Sequence, residues 1–137
     1  MIKKVAILAN GGDVAGFNAV IRGIVKTAEN NDVECYGFID GYNGLLKNEY
    51  VKLSTAEEGN AKGILPKGGS IIGSSTNANV FNYKVVKEDG SIEYQDLSDK
   101  CVQNIKDDGF DCVFTLGGDG TQKSARDFSL KGVNVIG

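Results

Sequence analysis

Residues 3–9, KKVAILA, are a nearly unbroken apolar run that stops at Asn10-Gly11-Gly12, and this arrangement constrains the chain more than anything else in it. A short apolar run without polar alternation is the pattern of a strand buried on both faces. Beyond Gly16, the residues Phe17, Val20, Ile21, Ile24, Val25 and Ala28 recur at helical spacing and predict an amphipathic helix that fades in ENND. VECYGFI (33–39) then predicts a second strand. A strand, loop, helix and strand in so short a span require a right-handed crossover and parallel pairing.

The same alternation returns near the end of the chain. A helix beginning near Ser98, with Val102 and Ile105 on its apolar side, leads through Gly109 into FDCVFTL (110–116). After the turn GGDG, the stretch QKSARDFSLKG predicts another helix before a strand at VNVI. Between these blocks the signals are local. Thr55 and Glu58 have capping-box spacing for a short helix. YKVV and SIEY flank a turn at Glu88-Asp89-Gly90, which predicts a β-hairpin near 82–95, polar enough to stand as a surface excursion. The expected class is α/β, three layers with a mostly parallel sheet, in one domain over 1–137.

Composition narrows the possible functions. No histidine is present, so the usual zinc sites and any Ser-His-Asp or Cys-His device are excluded within the chain. The three cysteines lack CxxC spacing, and Cys35 and Cys112 lie in apolar runs, as reduced core residues do. A net charge of −3, with Arg22 and Arg126 the only arginines, argues against nucleic acid as a partner. No apolar stretch reaches the roughly 18 residues of a membrane span, and MIKKVAILANGG enters a strand pattern without a signal-peptide cleavage site. The expected setting is cytoplasmic.

Against one proline there are 19 glycines, and they cluster. NGGDVAGFN follows the first strand, LGGDGT follows the strand at 111–116, and KGGSIIGSS lies between them. In an open parallel sheet, ligands bind at the carboxyl ends of the strands beside helix N-termini. Glycine lets a phosphate approach backbone N–H groups without a side chain in the way. A bare carboxylate repels phosphate, so Asp13 and Asp119 point to an intervening Mg²⁺. A single Gly-Gly-Asp is also a plain turn with an aspartate cap; its repetition at strand ends favours a ligand site. No GxxxxGK[ST] occurs and no GxGxxG follows the first strand, so neither a P-loop enzyme nor a dinucleotide-binding enzyme is favoured.

GGDVAGFNAVIRG, DGYNGL, GGSIIGSS and GGDGT, in this order, resemble the motifs of the phosphofructokinase family over nearly the whole chain. The resemblance implies a Rossmann-like fold and Mg²⁺-dependent transfer of a phosphoryl group from ATP or pyrophosphate to the 1-hydroxyl of fructose 6-phosphate. By matching positions, it implies that Gly11 and Gly12 in the first loop and Gly118, Asp119, Gly120 and Thr121 in the last line the phosphoryl-donor site, with Asp119 holding the metal. Tyr42 matches a position near the adenine in ATP-using members; an aromatic covering a turn is the other reading. Arg22 and Lys26 match an effector-phosphate region, or are simply a basic solvent face. The family is typically tetrameric or dimeric.

Departures from the family pattern matter as much. Ala15 replaces a proline, and the family's GSSR or GSAR arginine falls on Thr76, followed by Asn77. A hydroxyl cannot neutralise phosphoryl oxygens as a guanidinium does, so another cation substitutes or transfer is slower. The strand GVNVIG is expected to be cut off at Gly137, where the family next places a Thr-Ile-Asp-Asn-Asp segment with the catalytic base. The base is therefore expected after Gly137, and no catalytic residue within the chain. Missing sheet neighbours are expected to leave apolar surface open. Gly120 favours ATP, whereas GSST and the hairpin resemble the mixed-donor branch. An NAD or lipid kinase shares GGDGT but lacks the first loop, and a non-catalytic nucleotide-binding module remains the reading from another class.

Overall fold

The computed structural model describes residues 1–11, 16–56, 59–63, 70–75 and 79–137. Its centre is β1 (Lys4–Ala9), followed by α1 (Phe17–Asn30), β2 (Glu34–Phe38), α2 (Tyr42–Lys47) and β3 (Tyr50–Lys52). A hairpin of β4 (Tyr83–Val86) and β5 (Ile92–Gln95) comes next, then α3 (Ser98–Asp107), β6 (Cys112–Leu116), α4 (Asp119–Leu130) and β7 (Val135–Ile136). The main sheet has the order β3-β2-β1-β6-β7, and every pair is parallel except β2 with β3. The chain is thus α/β with a mostly parallel sheet, as the alternation of apolar strands and amphipathic helices requires.

Register explains why β1 has no polar alternation. Val5 pairs with Cys35 on one side and Cys112 on the other, so β1 has no free edge. Its residues then divide by period two between two cores. Ala6 and Leu8 pack with Phe38, Tyr42, Leu45, Val113 and Phe128 on the face covered by α2, α3 and α4. Val5 and Ile7 pack with Ile21, Val25 and Ala28 of α1 on the other face. Each fully buried side chain of this kind contributes roughly 1.5–3 kcal/mol through area removed from water.

The α1 face is less completely covered. Between α1 and the strands β6 and β7 runs an apolar groove of about 650 Å³, lined by Val20, Ile24, Val5, Cys112, Phe114 and Ile136 among others. Val20 and Ile136 are both exposed. Apolar surface is therefore open on this face. All three cysteines are free and buried, and burial raises the thiol pKa of Cys35 and of Cys101 to about 12 and that of Cys112 in the same direction.

Two elements are too short for periodicity to reveal. α2 begins after a sharp reversal at Asp40 and Gly41, both at positive φ, where a Cβ on Gly41 would come within 2.6 Å of the Ala9 carbonyl oxygen. Only glycine fits there, which is the local reason for DGYNGL. β3 then returns antiparallel to β2. The capping-box expectation is corrected: the Thr55 N–H donates to Glu29 Oε1 at 2.8 Å and its hydroxyl to Glu29 Oε2, holding the Glu29 carboxyl below its usual range. Glu58 lies outside the described residues, and the described residues of 54–63 contain no helix.

The hairpin forms as expected, with Gly90 at φ 84 and Asp89 Oδ1 accepting from the Ser91 N–H and hydroxyl. Its tip and outer face are exposed, but its root is not an excursion. Val80, in a single 3-10 turn before β4, is fully buried and accepts the Leu97 N–H at 2.7 Å. Among the described residues, no helix is long and apolar enough to cross a membrane.

Candidate functional site

The carboxyl ends of β1 and β6 lie side by side, and the ladder continues past them through the Asn10 N–H, which donates to the Leu116 carbonyl at 2.8 Å. Gly11, at φ 117, then turns its N–H to the Ser75 carbonyl at 2.7 Å, and its own carbonyl accepts the Ser74 hydroxyl at 3.2 Å. A Cβ on Gly11 would lie 3.9 Å from the Gly118 nitrogen. Residues of all three glycine clusters therefore meet at one edge of the sheet, joined mainly by backbone groups. Two further contacts fix the middle segment: buried Asn18 on α1 accepts the Ile71 N–H at 2.7 Å, and the Asp40 N–H donates to the Ile72 carbonyl at 2.9 Å.

The glycines of the last loop have different local reasons. A Cβ on Gly117 would run into the Asn10 carbonyl oxygen and the Thr121 hydroxyl, so packing alone demands glycine there. On Gly118 and Gly120 a Cβ would meet nothing within 4 Å among the described residues. Neither has a positive φ, and both are exposed. Packing and backbone strain therefore do not account for glycine at these two positions, whereas a ligand seated against them would.

α4 points its N-terminus into this edge. Its ladder opens with the Gln122 N–H to the Gly118 carbonyl at 3.1 Å, so the N–H groups of Asp119, Gly120 and Thr121 lie upstream of it, the usual arrangement for receiving an anion. Asp119 is exposed in the first turn. No group of three His, Cys, Asp or Glu side chains that could hold a metal occurs among the described residues. A lone carboxylate suits Mg²⁺, which is commonly held through one or two carboxylates with phosphate oxygens and water completing its shell.

Two expected site residues turn their side chains inward. Tyr42 is 1% exposed, its ring stacked on Phe128 at 5.9 Å between centroids and its hydroxyl donating to the Thr121 carbonyl at 3.0 Å. It is a core residue whose burial raises its hydroxyl pKa, and no face of its ring is open to a base. Thr121 is likewise buried, its hydroxyl donating to the Asn10 carbonyl at 3.1 Å. Together they brace α4 against the end of β1. Gly12, Asp13, Ala15, Thr76 and Asn77 lie outside the described residues. Arg22 is half-buried and Lys26 exposed on α1.

Gly137, beyond which the sequence leads one to expect the catalytic base, directly follows β7 and is exposed. It offers no side chain for catalysis and is not one of the residues gathered around the glycine junction. Its neighbour is Gln122 on α4, and a Cβ added to Gly137 would collide with the Gln122 Oε1.

Sequence reading missed the asparagines. Asn10, Asn18 and Asn43 all lie at this edge, the first two buried, and Asn10 Oδ1 has no hydrogen-bond partner among the described residues. The available signal was the presence of amides inside otherwise apolar or glycine-rich stretches, because a buried amide needs a partner.

Comparison with known proteins gives one family. The phosphofructokinase model matches residues 4–137. An ATP-dependent 6-phosphofructokinase 2 of Clostridium perfringens is 50% identical over 137 residues, covering 99% of this chain and 37% of the relative. An ATP-dependent 6-phosphofructokinase 3 of Bacteroides thetaiotaomicron is 37% identical over 97% of this chain and 37% of its own length. The chain thus spans little more than a third of these relatives. Among solved structures, the Pichia pastoris phosphofructokinase in the T-state superposes with a TM-score of 0.76 at 27% identity, covering all of this chain and 13% of that one. A pyrophosphate-dependent phosphofructokinase from Marinobacter aquaeolei shares the fold, with a TM-score of 0.69 at 19% identity over 98% of this chain and 32% of its own.

Proposed function

The chain belongs to the phosphofructokinase family, and we propose that it forms the phosphoryl-donor side of a 6-phosphofructokinase that uses ATP and Mg²⁺ to phosphorylate fructose 6-phosphate in the cytoplasm. The observation that carries this reading is the backbone junction of three glycine loops, with Gly118 and Gly120 left open beside the N-terminus of α4. The α4 N–H groups would receive donor phosphate oxygens, and Gly120 would leave room for the nucleotide's inner phosphate. Asp119 would hold the metal, which when bound offsets charge on the donor phosphates. The acceptor hydroxyl's base and most sugar contacts belong, in this proposal, to the part of the relatives that this chain does not span, beginning after the position of Gly137. The complete enzyme is proposed to be a homo-oligomer.

Calorimetry on the 137-residue chain with Mg-ATP and with Mg-pyrophosphate tests the donor site. Binding of Mg-ATP, weakened about tenfold or more in Asp119→Asn through loss of the metal-facing charge, is the expected result. Stronger binding of Mg-pyrophosphate than Mg-ATP would make pyrophosphate the donor, and no binding of either would remove the donor-site reading. The chain alone is expected to form no fructose bisphosphate; turnover by purified chain would overturn that division of labour.

A further inference from the structure

Asn43, second residue of α2, uses its amide in two directions. Its Nδ2 donates to Ser75 Oγ at 3.1 Å, and its Oδ1 accepts the Tyr83 hydroxyl at 3.0 Å. Ser75 belongs to the middle glycine segment, and Tyr83 stands at the start of β4. The Ser75 carbonyl also accepts the Gly11 N–H. One amide therefore ties the hairpin root, the middle glycine segment and the first glycine loop into a connected path.

The three polar groups are half-buried, so water could satisfy each of them separately. A single side chain that bonds both Ser75 and Tyr83 instead fixes these two residues relative to each other. Gly11, whose N–H donates to the Ser75 carbonyl, is then held in place with them, and a backbone N–H group serves a ligand only where its neighbours position it. Neither Asn43 nor Tyr83 stands out in the sequence, because each becomes meaningful only through contacts 32 and 40 residues away.

We propose that Asn43 is a positioning residue for the phosphoryl donor, clasping Ser75 to Tyr83 and, through Ser75, holding Gly11 in place. This rests on the donor-site reading above. Tyr83 is the second arm of the clasp, so the hairpin is coupled to the donor loops.

The test uses the ¹⁵N-labelled 137-residue chain, reading amide exchange at Gly11 and affinity for Mg-pyrophosphate and Mg-ATP. Asn43→Ala is expected to speed Gly11 exchange about tenfold and to weaken binding of the preferred donor about fivefold, the scale of one or two lost neutral hydrogen bonds. Tyr83→Phe, losing one bond, is expected to give about a twofold effect on each. Asn43→Asp, which can accept from both hydroxyls, should restore Gly11 protection. Tyr94→Phe, exposed on the same hairpin, should change neither reading. Should Asn43→Ala fail to fold, Ser75→Ala removes the other arm and carries the same direction of effect. Unchanged Gly11 exchange and donor affinity in these variants would overturn the clasp. Absence of binding to either probe by the parent chain would instead sink the donor-site reading, with the Gly11 exchange still reporting whether Asn43 holds the loop.

Discussion

The two ends of the main sheet are closed by opposite means. Toward the amino end, side chains fill the space: Lys4 Nζ donates to the Asp108 carbonyl at 2.7 Å and lies 4.6 Å from the Phe110 ring and 4.9 Å from that of Tyr36. Tyr36, Phe38 and Tyr50 each meet Phe110 edge-on. Asp111 Oδ2 accepts the N–H groups of both Lys3 and Lys4. At the carboxyl end the closure is made by backbone groups of Asn10, Gly11, Ser75 and Leu116, with glycines between them. Large side chains give stability by excluding everything else; backbone closure holds its shape while leaving polar groups and empty volume for a ligand.

If that contrast is right, truncation at the amino end should act on stability and substitution at the carboxyl end should divide between stability and binding. The largest effect is expected from Phe110→Ala, about 3–4 kcal/mol in urea unfolding, because it removes the ring that three others pack against. Donor affinity of the remaining folded fraction should not change. Gly117→Ala follows, at about 1–3 kcal/mol, since the added methyl must displace the Asn10 carbonyl or Thr121. A neutral Gly117→Ala would break the claim that the last loop contains both a packing glycine and ligand glycines.

Gly120→Ala sharpens the same point from the other side. Its stability should stay within about 0.5 kcal/mol of the parent, because nothing described meets the added methyl, while Mg-ATP affinity should fall more than Mg-pyrophosphate affinity. Equal loss of both would deny Gly120 a role in admitting the nucleotide. The smallest effect belongs to Asp111. Its carboxyl is held below the usual range by the Lys3 and Lys4 N–H groups, so its contribution to stability is present above the ordinary carboxylate pKa and is lost as pH falls through the depressed folded value. Asp111→Asn should therefore flatten the acid limb of a melting-temperature profile taken from about pH 7 to about pH 3, with the gap between the two proteins narrowing toward low pH.

How far the chain could be read from residues alone follows from what each part is made of. β1, α1, β2, α3, β6 and α4 were legible because each is long enough to show a period, and their core side chains are those the period selects, such as Ile21, Val25, Val102 and Ile105. α2 and β3 were not, because six and three residues carry no period, and they depend on the reversal at Asp40 and Gly41. At the site, motif order gave the glycines their place. It left the orientation of Tyr42 open, since a motif position says nothing about which way a ring turns, and here the ring faces Phe128. The Thr121 hydroxyl is likewise used inward, on the Asn10 carbonyl, which no motif position reveals. No helix follows Thr55 among the described residues, and its N–H and hydroxyl turn to Glu29, which is distant in sequence and so invisible to local spacing.

The three buried thiols have a use that nothing in the fold required of them. Cys35 and Cys112 sit under α1 and Cys101 on the inner side of α3 in the opposite helix layer, each too buried and too reluctant to ionise for an alkylating reagent to reach it in the closed protein. They are built-in clocks for opening. Labelling of Cys101 at one rate and of Cys35 and Cys112 at another would mean that the two layers peel from the sheet independently, whereas a single shared rate would mean that the sheet and both its coverings come apart as one cooperative unit.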